Sequence, residues 1–134
     1  MTAIAATTEI TVLGWSVVLL LLQIVLQAGT SADLGPKYLF SPRDEERQSS
    51  SLLSRRLKRA LDNLLESYPA FVALALALAI TGKAGGIAAT GAWLYLACRV
   101  VYVLLYAAGI PVIRTFIWLG SIVGLVMMLV RLMG

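Results

Sequence analysis

The sequence has no histidine, a single cysteine and few charged residues, and each of these scarcities excludes a kind of chemistry. Without histidine there is no histidine metal site and no histidine proton relay, so we expect no bound metal. Because Cys98 is the only cysteine, the chain can form neither an internal disulfide nor a Cys–His pair. Charged residues make up 13% of the chain. An ordinary soluble domain carries roughly 25%.

Apolar residues predominate in the sequence. They make up 60% of the 134 residues, and the mean hydropathy is +0.88. They fall into four long runs, each near the ~20 residues that cross the hydrocarbon of a bilayer. The sequence therefore predicts an all-α integral membrane protein.

Short turns separate the later runs, so consecutive helices should be antiparallel neighbours in an up-and-down four-helix bundle. We treat residues 1–134 as a single membrane domain. The predicted spans cover about residues 9–28, 60–81, 87–108 and 112–132, and a polar loop covers about residues 29–51.

Basic residues cluster between the first two spans. Seven of the eleven lie there: Lys37, Arg43, Arg47, Arg55, Arg56, Lys58 and Arg59. The positive-inside rule places this loop in the cytoplasm and both termini outside, which for a bacterial chain means the inner membrane. The cluster therefore indicates the orientation of the chain in the membrane and an attraction to anionic membrane lipid. We expect no nucleic-acid partner.

Three polar residues share one stripe of the second helix, where it enters the membrane. Arg59, Asn63 and Glu66 follow helical spacing. A carboxylate near hydrocarbon is costly unless it is paired or lines a wet cavity, so Glu66 is a candidate site residue. Asn63 has two interpretations, a hydrogen bond within the bundle or an amide contact to a ligand.

A second stripe, made by Arg99, Tyr102 and Tyr106, lies on the third span. If the second and third helices fold back about the turn between them, Arg99 becomes level with Pro69 and Tyr102 with Glu66. The two stripes would then face each other at the cytoplasmic end.

Simpler interpretations exist for both stripes. Arg99 and Glu66 could form a buried ion pair that fixes helix register, and the two tyrosines could belong to an interfacial aromatic belt. Neither explains why Arg59 and Arg114 converge at the same depth. The excess positive charge indicates a site for an anion.

These residues carry a family resemblance. The strings Arg59-Ala60-x-x-Asn63-x-x-Glu66-x-x-Pro69 and Arg99-x-x-Tyr102-x-x-x-Tyr106, followed by Arg114, resemble membrane-associated proteins in eicosanoid and glutathione metabolism, the MAPEG family. The resemblance covers about residues 52–132 and is to bacterial-type members similar to microsomal glutathione transferase.

The resemblance implies a homotrimer that binds glutathione, as cosubstrate, between neighbouring subunits. By the family pattern the peptide would be bound by Arg59, Asn63, Glu66, Arg99, Tyr102 and Tyr106. Arg114 would stabilise the glutathione thiolate and so be the catalytic residue. The expected activity is glutathione-dependent transfer to lipophilic electrophiles, or reduction of lipid hydroperoxides.

Two other functions compete with this hypothesis. The family includes non-enzymatic members, so a non-catalytic protein that binds lipid or a protein partner is the alternative. A small transporter is disfavoured, because no span is interrupted at mid-membrane, as transporter sites usually require.

Overall fold

The computed structural model describes residues 7–30 and 52–134 and forms four helices there. They are α1 (Thr8–Thr30), α2 (Leu52–Ile80), α3 (Ile87–Ala108) and α4 (Pro111–Met133). Each is long and apolar enough to cross a membrane, which confirms the prediction of an all-α membrane bundle. Residues 31–51 of the predicted cytoplasmic loop lie outside the described residues.

Helix α2 is longer than a span requires. Its 29 residues extend about 44 Å at 1.5 Å per residue, whereas the hydrocarbon core is about 30 Å thick. The surplus lies at the amino-terminal end, where Arg55, Arg56, Lys58 and Arg59 make a charged extension. The helix continues through Pro69 without ending.

Glycines make the two tight turns. Gly82, Gly85 and Gly86 adopt positive φ between α2 and α3, a conformation that glycine adopts at little cost. Between α3 and α4, Gly109 caps α3 in the left-handed region and Pro111 opens α4. Both turns are short and reverse the direction of the chain, so α2, α3 and α4 are antiparallel to their neighbours in sequence.

The four helices pack around a central pair. Helices α2 and α3 touch each other, and both touch α1 and α4, whereas α1 and α4 make no contact within the described residues. The most extensive contact joins α3 to α4. The residues that line a cavity, described below, come from α2, α3 and α4.

Two glycines bring α3 and α4 unusually close. A Cβ atom added to Gly124 would lie 2.6 Å from the carbonyl oxygen of Gly91, and one added to Gly91 would lie 2.6 Å from that of Gly124. One turn before Gly124, Gly120 faces the Cys98 sulfur. Small residues at this spacing allow membrane helices to approach backbone to backbone.

Hydroxyl pairs fix the helices inside the apolar core. Ser16 of α1 and Tyr68 of α2 share a hydrogen bond of 2.9 Å, and Ser67 and Tyr95 share one of 3.0 Å between α2 and α3. The Phe71 ring stacks on Tyr95 with centroids 4.4 Å apart. Polar contacts of this kind, worth about 1 kcal/mol each in membranes, resist sliding of one helix along another.

Charged groups join the helices at the end of the bundle that contains the α2–α3 turn. The buried Glu9 carboxylate accepts the backbone N–H of Gly85 at 3.0 Å, just before α3. Lys83 donates to the Leu132 carbonyl at 2.8 Å, and Arg131 donates to the Lys83 carbonyl at 2.8 Å. These contacts satisfy backbone groups at helix ends.

Candidate anion-binding cleft between α2, α3 and α4

A cleft of about 240 Å³ opens where the carboxyl end of α3 meets α2 and the start of α4. Its lining is polar and aromatic: Asn63, Tyr102, Tyr106, Arg114, Thr115 and Trp118. Four of these residues were predicted from the sequence as site residues. The structure therefore brings Asn63, both tyrosines and Arg114 together around one cavity.

Arg99 lies beside this cleft as a buried cation. Its side chain is 2% exposed, and Nη1 donates to Oδ1 of Asn63 at 2.9 Å. The guanidinium also lies 4.4 Å from the centre of the Tyr102 ring. Its Nε–H is buried and has no hydrogen-bond partner among the described residues.

Arg114 forms a second arginine–tyrosine pair at the same end. Its guanidinium lies 4.2 Å from the centre of the Tyr106 ring, and the rings of Tyr106 and Tyr102 are 5.7 Å apart. Helical spacing on α3 places the two rings on one face, and the aromatic faces hold both cations. Tyr102 is buried inside the bundle, which argues against a role for it in an interfacial belt.

The register between α2 and α3 differs from the prediction. Arg99 bonds Asn63, six residues (69 − 63) before the position of Pro69 at which it was expected. Tyr95 correspondingly bonds Ser67. The symmetric fold-back was wrong because it assumed helices that mirror each other about the turn, whereas side-chain packing sets their relative position.

The remaining two predicted residues are not among those that line the cleft. Arg59 and Glu66 are exposed on α2, and neither forms a hydrogen bond or ion pair with any described residue. Within the described part of the chain, Lys58–Asp62 is the one salt bridge, at 3.2 Å. The proposed Arg99–Glu66 ion pair is therefore not formed in the single chain.

Two lining residues were missed by sequence reasoning. Thr115 follows Arg114 directly and Trp118 lies one turn beyond it on α4. Helical spacing from Arg114 would have predicted that Trp118 shares its face.

The cationic groups around the cleft would favour a negatively charged ligand. A buried guanidinium costs several kcal/mol unless an anion or several acceptors compensate it. Asn63 supplies one neutral acceptor and the tyrosine ring a weak one, while the Nε–H remains available. A second guanidinium, that of Arg114, lines the same cavity.

A model of the MAPEG family matches residues 12–134, which is most of the chain. The chain belongs to the MAPEG family. Comparisons with curated proteins and with solved structures find no significant match.

The MAPEG match begins within α1 and includes every residue that lines the cleft. The family includes glutathione transferases and peroxidases as well as other members. Membership thus supports the fold and the membrane location predicted from the sequence.

Proposed function

We propose that the protein is a glutathione-dependent membrane transferase or peroxidase that acts on lipophilic electrophiles or lipid hydroperoxides. The observation that carries the proposal is Arg99, a buried cation that forms no salt bridge with any described residue, beside a cleft lined by Arg114. An anionic cosubstrate would supply the missing negative charge.

Glutathione fits the charges that the helices present. It carries two carboxylates and one ammonium, which match a site with several arginines and one glutamate through charge-assisted hydrogen bonds. Arg99, Asn63, Tyr102 and Tyr106 already meet at the cleft. Arg59 and Glu66 would complete the peptide site.

A second copy of the chain would bring the outward-facing residues into the site. Arg59 and Glu66 lie on the exposed face of α2, and the face continues toward mid-membrane through the small exposed residues Ala70 and Ala73. Small residues favour close contact between membrane helices. We therefore propose that the site is completed between neighbouring subunits of a homotrimer.

Arg114 is the proposed catalytic residue. A free thiol has a pKa of about 8.5, and a nearby guanidinium lowers that value and raises the thiolate fraction. In conjugation, the thiolate sulfur attacks an electrophilic carbon, the S–C bond forms and the leaving group departs with its electron pair. In peroxide reduction, the thiolate sulfur attacks one oxygen of the O–O bond, which breaks, so that an alcohol leaves after protonation and the sulfur becomes a sulfenic acid. A second glutathione thiol then displaces the sulfenic hydroxyl, which leaves as water, and the disulfide forms.

The second substrate would arrive from the bilayer. The α4 surface around the cleft is apolar and open, with Ile113 56% and Phe116 67% exposed. Lipid surrounds this part of a membrane span, so lipophilic molecules concentrate there. Glutathione would come from the cytoplasm, which is consistent with a cytoplasmic basic loop, outward termini and the proposed bacterial inner membrane.

Turnover of purified protein tests the proposal. With glutathione present, we expect conjugation of chlorodinitrobenzene, reduction of a lipid hydroperoxide, or both. Arg114→Ala should lower turnover far more than glutathione affinity, because the cation acts on the reacting sulfur. Lys58→Gln is the control, since among the described residues Lys58 pairs with the exposed Asp62 alone.

The thiolate can also be followed directly. Its ultraviolet absorbance, titrated against pH with glutathione bound, should report a lowered thiol pKa in the wild type and a higher one in Arg114→Ala. Glutathione binding without thiolate and without turnover would instead identify a non-catalytic member that binds lipid or a protein partner.

A further inference from the structure

Arg56 makes a contact that its place in the basic cluster did not predict. The residue lies on the charged extension of α2, yet its side chain reaches the end of α3. Nη1 donates to the carbonyl oxygen of Ala107 at 3.3 Å. The guanidinium also lies against Gly109, where an added Cβ atom would be 2.7 Å from Nη2.

This contact caps α3 with a cation. The last carbonyls of a helix lack intrahelical partners and carry partial negative charge, so an arginine there stabilises the helix end. Gly109 leaves space for the guanidinium and adopts φ 78°. The α3–α4 turn is thereby attached to α2.

The capped turn carries two cleft residues. Tyr106 directly precedes Ala107, and Arg114 lies in the first turn of α4, after Pro111. The Arg114 guanidinium rests on the Tyr106 ring at 4.2 Å. A shift of this turn would therefore move both residues together.

Two contacts between α2 and α3 enclose the cleft from either end. Arg56 meets Ala107 at the carboxyl end of α3, and Asn63 meets Arg99 about two turns earlier on α3. Arg56 and Asn63 are seven residues (63 − 56) apart, which is two turns of one helix face, about 10 Å. Tyr102 and Tyr106 lie on the stretch of α3 between these contacts.

We propose that Arg56 is a positioning residue that, by capping α3, holds Tyr106 and Arg114 at the correct distance from Asn63 across the cleft. Its contribution to turnover rests on the proposed function, whereas its contribution to the shape of the cleft does not. Displacement of a reacting group by about 1 Å can cost about a hundredfold in rate.

The test compares Arg56→Gln with Lys58→Gln, which removes the same charge from the same segment of α2 but leaves the cap intact. We expect Arg56→Gln to lower kcat about tenfold to a hundredfold and to raise the thiol pKa of bound glutathione. Arg56→Lys should recover part of both. Equal effects of Arg56→Gln and Lys58→Gln would overturn the proposal.

Gly109→Ala approaches the same contact from the other side. Its methyl group would displace the guanidinium, and alanine at φ 78° also strains the backbone. In a double-mutant cycle, the combined effect with Arg56→Gln should therefore be smaller than the sum of the two single effects. Additive effects would count against the cap. Thermal unfolding and the size-exclusion elution volume of each variant show whether it still folds. A variant that folds like the wild type but has lower turnover has lost positioning alone.

A readout without glutathione keeps the two proposals apart. In a Trp15→Phe/Trp93→Phe background, Trp118 is the remaining tryptophan and lines the cleft. We expect Arg56→Gln, but not Lys58→Gln, to change its emission. Changed emission in a protein that binds no glutathione would retain the positioning role and reject the proposed function. Unchanged emission would reject the positioning role.

Discussion

Arg99 is the residue on which the proposed site depends most. It is 2% exposed, it has one neutral hydrogen-bond acceptor, Asn63, and it lies against the Tyr102 ring. Stability alone gives no reason to keep a guanidinium there, because a well-packed apolar side chain at a buried ionic position is often neutral or stabilising. A site for a negatively charged ligand does give such a reason.

This reasoning predicts the effect of Arg99→Met on stability. We expect the thermal unfolding temperature without ligand to stay the same or rise, because the uncompensated charge is removed. Leu78→Ala is the contrasting variant, since Leu78 is fully buried and apolar and its truncation should cost about 2–5 kcal/mol. If Arg99→Met lowered stability as much as Leu78→Ala does, Arg99 would be a residue that holds the bundle together.

At the residue scale, the sequence predicted which side chains share one face of a helix. It did not predict which side chains of different helices contact each other. Arg99, Tyr102 and Tyr106 were placed on one face because helical periodicity is local. The partner of Arg99 was not predicted, because it depends on how far α3 slides along α2. Hydroxyl pairs such as Ser67–Tyr95 determine that distance, and no spacing in either helix encodes it.

Among the elements, α3 and α4 form the closest pair and carry most of the cleft. Their approach depends on Gly91 and Gly124, each of which leaves space for the other backbone. The spacing Gly120-x-x-x-Gly124 was visible in the sequence, and it could have predicted this contact. The orientation of Trp118 and Arg114 toward α3 follows from it.

We expect Gly124→Ala to lower the free energy of unfolding by about 1–3 kcal/mol, as overpacking of a core does. The new Cβ atom would lie 2.6 Å from the Gly91 carbonyl oxygen and 2.9 Å from the Tyr95 nitrogen, both of which are backbone atoms that cannot rotate away. Thermal unfolding in detergent measures the change.

Gly14→Ala in α1 is the matched control for this prediction. Nothing lies within 4 Å of a Cβ atom added there, so alanine should be neutral or stabilise the helix by up to about 1 kcal/mol. If both variants lose stability equally, close packing of α3 against α4 is not the cause.

For the whole molecule, the number and order of the helices followed from the sequence. Apolar runs of membrane length, glycine at the turns and Pro111 at the start of α4 are local features, and the structure contains each of them. The sequence did not predict that α2 and α3 form a central pair flanked by α1 and α4. Loops of the same lengths would also fit a square bundle, in which α1 contacts α4. The exposure of Arg59 and Glu66 is a consequence of the observed arrangement.

The proposed orientation predicts how reporter fusions will behave. Basic residues precede and begin α2, whereas the α2–α3 turn carries only Lys83, so the cleft should face the cytoplasm. A reporter that is active only outside the cytoplasm should work when fused after Gly134. Activity of a cytoplasm-only reporter at that position would place the cleft on the other face, away from cytoplasmic glutathione.

Calorimetric titration of the purified full chain with glutathione tests the central claim most directly. We predict saturable binding, weakened about tenfold or more in Arg99→Met, because a hydrogen bond to a charged group contributes about 1.5–3 kcal/mol. Glu66→Gln should also weaken binding, and Lys58→Gln should leave it unchanged. Absence of binding in the wild type, or equal affinity in wild type and Arg99→Met, would contradict a glutathione site at this cleft.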